Sequence, residues 1–432
     1  IRKLLFMLLY NSFTEGLKFT KTKILLRYYA SALIDVPRDD VIEDAGVSKS
    51  QAMQNIRDRW YYPPDLANDL QDLDMPKAMK QEIFACAWEY TRCVIPQYTN
   101  WPRYVAFMRI IIIGIVAEFR GNLVDVTAGD DMMGYNLSTV LDALFLGTAD
   151  RENMCREYRS FLLITADKSS ERRNGELFRR YVNALAHSPR QWFRMRDADA
   201  LARFTIAASL ACNDLDDLKF SNMEYEILTE IGDTLYDAVA FFKHRSEGET
   251  NSTFAYMPPD MRVEAFHQAR EVLWAMDVAL APKTTLQGVI NFVRFFGGPI
   301  HMMMRRYRFV EEHLTIGQVE TEKVVDQTRK NFKLWNRLDA KDAKAGDEKR
   351  YKDIVSNNSG EVMFPGLVEF LENEDNCPDC CFRESYGAET KHQFGGVQIC
   401  SACREEWGRY MKSLPDRAVK AFPELAYVLS IP

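Results

Sequence analysis

The chain has 432 residues, a formal net charge of −7 and an isoelectric point near 5.6, which argues against a polyanion such as nucleic acid as its main partner. An acidic protein can still hold an anionic small molecule if metal ions sit between them. With 47% hydrophobic and 12% aromatic residues, there is apolar material for one large core and small appendages.

Residues 1–59 read as an N-terminal helical extension. The opening Ile1-Arg-Lys-Leu-Leu-Phe-Met-Leu-Leu-Tyr10 has no small-residue cleavage site and is expected to form an amphipathic helix. Asp40 to Arg57 imitates a helix-turn-helix, with Ala45-Gly-Val-Ser48 at its turn. Acids fill its first helix, so a DNA-reading role is disfavoured.

From residue 60 to 338 the pattern predicts an all-α core. Apolar residues recur three and four apart in Met79–Val94, Val105–Val126, Glu176–Ala186, Asp197–Asp217, Asn222–His244, Pro259–Ala279 and Thr285–Phe296. Proline and glycine clusters such as Pro63-Pro64 and Gly297-Gly298-Pro299 supply the breaks. The most apolar run, Ile110–Ala117, is flanked by Arg109 and Glu118 and falls far short of the roughly 20 residues a membrane span needs. No stable span is expected. Cys86, Cys93, Cys155 and Cys212 lie singly in helical stretches, as buried thiols do, which suits a reducing, cytoplasmic setting.

Several constellations could carry chemistry. Glu118 follows the apolar run, with Asn122 and Asp125 further along, and Gly114 and Gly121 near the same face leave room for a ligand. A carboxylate in such a helix needs a partner if buried, and an arginine would be the ordinary one. Asn213, Asp214, Asp216 and Asp217 crowd the end of another apolar run; they read as a solvated turn or as oxygen ligands for Mg²⁺. Glu224 is set aside, because Ser221-x-x-Glu224 is a capping box. Glu226, Glu230, Asp233 and Asp237 are spaced by four, three and four residues, which puts them within roughly 60° on one helical face, with His244 continuing it. Like charges so spaced repel; divalent cations or simple exposure would relieve them.

His301-Met-Met-Met-Arg-Arg-Tyr-Arg308 offers Arg305, Arg306 and Tyr307 as phosphate-binding groups, with Lys243 beside them and Arg262, Arg172 and Arg173 as weaker candidates. Carboxylates for Mg²⁺, arginines for phosphate and a bundle rich in aromatic side chains form one coherent set. It suits drawing a diphosphate off an allylic carbon and holding the resulting carbocation in an apolar cavity. On that reading Glu118, Asp125, Asp233 and Asp237 are the candidate catalytic carboxylates. Glu118, Asn213, Asp214, Asp217, Glu226, Glu230 and Asp233 are the candidate Mg²⁺ ligands.

Residues 339–432 read as a linker followed by a small cysteine module. Asn336–Glu361 is charged, poor in large apolar residues, and expected to be a mobile surface loop. Cys377-Pro-Asp-Cys380 and Cys400-Ser-Ala-Cys403 have 19 residues between them, a spacing that presents four thiolates to a structural Zn²⁺. Cys381 could replace Cys380, and His392 is a distant spare.

Long strings in this chain resemble the fungal α-ionylideneethane synthases. They are Trp60-Tyr-Tyr-Pro-Pro-Asp-Leu-Ala-Asn-Asp-Leu70, Ile83-Phe-Ala-Cys-Ala-Trp-Glu-Tyr-Thr-Arg-Cys93, Ala211-Cys-Asn-Asp-Leu-Asp-Asp217, Ile227–Asp237, Thr250–Tyr256 and Phe295–Tyr307. The resemblance runs from about Trp60 to Leu425 and includes the paired cysteines. It implies a sesquiterpene cyclase that converts farnesyl diphosphate to α-ionylideneethane with release of diphosphate, for abscisic acid biosynthesis. It also implies a route through a neutral triene that is reprotonated before ring closure, hence one group that removes a proton and one that returns it. The chain lacks the D-D-x-x-D string of ordinary class I terpene cyclases, and their second metal motif is approached only by Asn213, Asp217 and Ser221. Arg306-Tyr307 is similar to their pyrophosphate-sensing pair. The expected partner is thus a small isoprenoid diphosphate, with self-association of the chain open. Two other readings stand beside it: an altered homologue that binds or converts another prenyl diphosphate, and a zinc-containing regulatory or scaffold protein without catalysis.

Overall fold

A computed structural model of the chain describes residues 59–307, 319, 321–331, 348–381 and 390–429. The chain divides into two compact units, Ile1–Arg59 and Trp60–Pro432, and the helices and the cavity described below belong to the second. The amphipathic opening, the helix-turn-helix-like segment and Arg308 lie outside the described residues.

Helices succeed one another along the chain, as the periodicity predicts. They are α1 (Lys77–Val94), α2 (Trp101–Phe119), α3 (Leu137–Phe145), α4 (Arg151–Lys168), α5 (Glu176–Ala184), α6 (Pro189–Ala200) and α7 (Ala202–Ala211), then α8 (Asn222–Val239), α9 (Phe241–Glu247), α10 (Arg262–Leu280), α11 (Gln287–Phe296) and α12 (Ile300–Met303). Beyond these come α13 (Glu322–Asn331), α14 (Glu348–Asp353), α15 (Ser359–Val362), α16 (Leu367–Glu372), α17 (Ser401–Lys412), α18 (Leu414–Ala421) and α19 (Leu425–Leu429). Among the described residues the strands amount to one short antiparallel pair, β1 (Asp131–Met132) and β2 (Tyr135–Asn136). No helix of the described residues is long and apolar enough to cross a membrane.

Helix α2 is apolar all round and buried along nearly its whole length, so it forms the spine of the core. Asn100 starts it by accepting a hydrogen bond from the Arg103 backbone N–H at 3.1 Å. It ends at Phe119 rather than continuing to Val126. Gly121 lies so close to α4 that a Cβ there would stand 2.1 Å from the Ala166 carbonyl oxygen. That approach turns the backbone into a short 3₁₀ segment, Gly121–Leu123.

The expected helix over Asp197–Asp217 is likewise two helices. Leu201 sits in the left-handed region at φ 53°, and Asp197 accepts from the Arg203 backbone N–H at 2.8 Å and from its Nε at 2.5 Å. This side-chain cap starts α7 in a new direction and offsets the strain at Leu201. The Asn222–His244 run also divides, at Ala240, into α8 and α9. The capping box of Ser221 and Glu224 is present at the start of α8.

Helix α8 packs against α6, α7, α10, α11 and α18, which explains why its carboxylates are mostly buried. Glu230 is wholly buried and meets Arg417 of α18 with two bonds of 2.6 Å, while Tyr410 of α17 donates to it at 3.1 Å. The cysteine module is therefore part of the same compact unit: Trp407 packs on Trp192, Phe193 and Tyr256 at ring distances of about 6 Å. The loop expected over Asn336–Glu361 is helical in its described second half. Arg350 there binds the buried Asp167 at 2.7 and 3.0 Å, alongside Arg172 at 2.7 Å. Arg350 thus compensates a buried carboxylate, while Glu348 and Lys352 of the same segment remain exposed.

Removing one member of a buried pair strands the other in a low dielectric. Arg417→Met is expected to lower stability by about 3 kcal/mol, read as a shift in the urea unfolding midpoint. The double variant with Glu230→Met should recover most of that loss.

Candidate active site and metal centre

One cavity of about 150 Å³ lies between α2, α4, α6, α8, α9 and the Met304–Tyr307 segment. Its apolar wall comes from Ile111 and Ile115 of α2, Phe161 of α4, Phe296 of α11, and Met304. Gly114 permits the tight junction of α2 with α4, since a Cβ there would stand 3.1 Å from Phe161 Cε1. Tyr90, Tyr236 and Tyr307 add aromatic rings, with Tyr236 stacked on Phe296 and bonded to Tyr307 through the two hydroxyls at 3.0 Å.

The remaining wall is charged. Lys168, Arg196, Lys243 and Arg306 face Glu118, Asp199, Glu247 and Glu249. Arg306 and Glu118 form an ion pair, and Lys243 lies 2.7 Å from Glu247. Glu247 Oε1 has no aligned hydrogen bond, so that contact is an ion pair without good directionality. Lys168 stands 3.6 Å from Asp199 and 3.5 Å from Glu249, and Arg196 stands 2.9 Å from Asp199. Four cations and four carboxylates balance. An entering polyanion would therefore bring uncompensated charge into a partly dry site.

Beneath the rim lie two neutral histidines. Burial, reinforced by Lys243, holds His301 down to about 3, and it sits against the Tyr236 ring at 4.2 Å. Burial and the same lysine hold His244, itself a cavity residue, well below the usual imidazole range.

The sequence candidates scatter with respect to this cavity. Glu118, Lys243, Arg306 and Tyr307 line it together. Arg305 turns away, stacking on Trp60 and binding Glu89 at 2.7 Å. Asp237 lies behind the wall, where its carboxylate accepts from Arg196 at 2.9 Å and from Thr253 N and Oγ1 at 2.7 and 2.8 Å. Asp233 is fully buried with neither oxygen hydrogen-bonded, and burial pushes its carboxyl far above the carboxylate range. Burial thus favours its protonated form.

The others sit elsewhere. Glu226 pairs with Arg190 at 2.9 Å in a different cleft, and Glu230 is taken by Arg417. Asp125 folds onto Thr127, accepting from its N and Oγ1 at 3.0 and 2.6 Å. Asn213 donates to the Gln97 and Ser209 carbonyls. Asp214 accepts from Thr99 and Asn100, and Asp217 is exposed. None of these eight residues (Asp125, Asn213, Asp214, Asp217, Glu226, Glu230, Asp233, Asp237) lines the cavity. Periodicity aligned the α8 carboxylates, but a helix surrounded on most sides has no single wet face.

Sequence reasoning missed Lys168, Arg196, Asp199, Glu247 and Glu249. The available signal was slight: Arg196–Asp199 and Lys243–Glu247 are three and four residues apart, which reads as ordinary surface pairing on a helix.

The four cysteines converge. Sγ atoms of Cys377, Cys380, Cys400 and Cys403 lie within 4.8 Å of one another, the one such cluster of possible ligands among the described residues. A hydrogen bond from the Cys403 backbone draws the Cys400 thiol down to about 7, which favours the thiolate a metal needs. The donor set can hold a metal ion. Cys381 instead pairs through its backbone with Gln398, and His392 binds Glu322. The loop between the cysteine pairs reaches the cavity wall: Gly395 N donates to Glu249 O at 3.1 Å, and Phe394 packs on Phe241. At Gly396, φ +94°, a Cβ would stand 2.8 Å from Tyr256 Oη.

Aromatic and aliphatic side chains thus share one helix-lined cavity with paired charges. The chain belongs to the α-ionylideneethane synthase aba3 family, whose profile matches residues 58–424. It is 65% identical over 390 residues to alpha-ionylideneethane synthase aba3 of Botryotinia fuckeliana strain B05.10, covering 90% of this chain and 88% of the relative. A second aba3 sequence of Botryotinia fuckeliana is 67% identical over 79% of this chain and 82% of its own length. Alpha-ionylideneethane synthase abl3 of Pyricularia oryzae strain Y34 is 54% identical over 86% of this chain and 84% of its own.

Elemental analysis of the purified chain is expected to find about one tightly held metal equivalent, since four thiolates complete a tetrahedral site. Cys400→Ser with Cys403→Ser should lose it and lower the melting temperature.

Proposed function

We propose that this chain is a sesquiterpene cyclase that converts farnesyl diphosphate to α-ionylideneethane, releasing diphosphate, as a step in abscisic acid biosynthesis. The observation that carries the reading is the cavity, in which an aromatic and aliphatic wall meets Arg306, Lys243, Lys168 and Arg196. The activity for which its relatives are named agrees with what such a cavity can do.

Arg306 and Lys243 receive the diphosphate, and Tyr307 adds a hydroxyl on the same side. Glu118 holds Arg306 in place before substrate arrives. The fifteen-carbon tail lies against Ile111, Ile115, Phe161, Phe296 and Met304, which exclude water from a cationic intermediate. Tyr90 and Tyr236 present ring faces to positive charge.

Mg²⁺, when bound, would neutralise the diphosphate and favour its departure. Because the lining cations are already balanced, extra positive charge is what a polyanion there requires. Glu118, Asp199, Glu247 and Glu249 are the carboxylates that line the cavity, and since no three of them converge on one point, one or two would hold it in a site completed by substrate oxygens and water. The four-cysteine site suits zinc in a closed, structural role, and the reduced cysteines suit the cytoplasm.

Purified protein given farnesyl diphosphate with Mg²⁺ should yield α-ionylideneethane by gas chromatography–mass spectrometry, and none after chelation. Arg306→Lys and Glu118→Gln are each expected to lower kcat by about 10²-fold, as loss of a preorganised charge does. A folded, metal-loaded chain that releases no diphosphate with any prenyl diphosphate would favour a regulatory or scaffold role instead.

A further inference from the structure

The cavity has a direction, set by two helices that lie side by side. Tyr158 of α4 donates to the Ile110 carbonyl of α2 at 2.6 Å, Gly114 faces Phe161, and Ser169, just past α4, donates to the Ala117 carbonyl. These contacts climb together along both helices, so α2 and α4 run parallel. On α2 the lining residues are Ile111, Gly114, Ile115 and Glu118, and on α4 they are Phe161 and Lys168. Each helix therefore places an apolar residue at one end of the cavity and a charged one seven residues on, about 10.5 Å along its axis.

The charged end suits a diphosphate. Glu118 pairs there with Arg306, and Lys168 stands by Asp199 and Glu249. The apolar end is closed. Phe161 is buried and stacks on Tyr158 at 5.9 Å, Tyr158 meets Phe204 at 5.3 Å, and Phe204 meets Phe107 at 6.5 Å. Of these four rings only Phe161 lines the cavity, so it is the exposed face of a packed aromatic plug. Its place depends on Gly114, where a Cβ would stand 3.1 Å from Phe161 Cε1 and 3.5 Å from Cζ. The absent side chain leaves the notch that the ring edge occupies.

We propose that Phe161, seated on Gly114, is the stop that limits the prenyl chain to fifteen carbons. The inference rests on the cyclase reading above. A head group held by Arg306, beside Glu118, brings the tail against the Phe161 ring after one run of the cavity. An extended farnesyl group, with eleven main-chain bonds of about 1.5 Å, is longer than that run, so its tail folds back, as ring closure requires. A further isoprene unit has no room, because its five carbons need about the space that the six-carbon ring of Phe161 fills.

The test gives full-length protein and Mg²⁺ either farnesyl or geranylgeranyl diphosphate and compares kcat/KM for diphosphate release. The wild type is expected to favour farnesyl diphosphate. In Phe161→Ala the geranylgeranyl-to-farnesyl ratio is expected to rise at least about tenfold, the lower range for a single methylene in an apolar pocket. Phe296→Ala, which removes a ring stacked on Tyr236 elsewhere in the wall, is expected to lower both values without raising the ratio. An unchanged ratio in folded Phe161→Ala, or in Phe161→Leu if the first does not fold, overturns the proposal. So does an equal rise in Phe296→Ala, which would mean general loosening of the wall. Dissociation constants of the unreactive thiolodiphosphate analogues read the same preference without turnover. A wild-type chain that turns over neither diphosphate overturns the cyclase reading, and the binding ratio then decides the stop by itself.

Discussion

Helix α8 carries acidic side chains into the middle of the molecule, and arginines brought from distant parts of the chain make that tolerable. Glu230 meets Arg417, Asp237 meets Arg196, and at the more open end Glu226 meets Arg190. An ionised carboxylate without such a partner would cost several kcal/mol in a dry interior. For Asp233, neither of whose oxygens is hydrogen-bonded, burial favours the protonated form. These pairings tie α6 and α18 to α8 and so fix the elements around the cavity. The cyclase chamber is built outward from them.

The same arginine links core and site. Arg196 binds Asp237 on the buried side and Asp199 on the cavity side, and its guanidinium lies 5.7 Å from the Tyr236 ring. The last residues of α6, Asp199 and Ala200, lie in the cavity wall together with Leu201 at the break. On the opposite side, the Glu249–Met257 segment is held by the cysteine module. Gly395 bonds Glu249, and Arg404 donates to the Tyr256 and Met257 carbonyls at 3.4 and 3.0 Å. The four-cysteine module, which can hold a metal ion, thereby supports one wall of the cavity.

Much of this was legible in the chain. Apolar periodicity marks the helices, two C-x-x-C pairs mark the four-thiol cluster, and Arg306-Tyr307 marks one edge of the cavity. The stripe Glu226–Glu230–Asp233–Asp237 was legible as a stripe but not as chemistry. Spacing places residues on a helical face, whereas packing on several sides of α8 gives each position a different partner. Asn213, Asp214 and Asp217 resemble ligands in composition and behave as turn residues, since Asn and Asp satisfy backbone and side-chain groups at a helix end as readily as they bind metal.

The sequence by itself determined the all-α class, the four-thiol cluster and membership of the family, because each depends on local period, short spacing or long shared strings. Tertiary structure alone decided which charges face the cavity. Lys168, Arg196, Asp199, Lys243 and Glu249 come from three separate stretches of chain. It also set the direction in which buried groups shift: burial favours neutral His244 and His301 and a protonated Asp233. Charge balance in a low-dielectric interior is a property of three-dimensional neighbours, and no linear pattern encodes it.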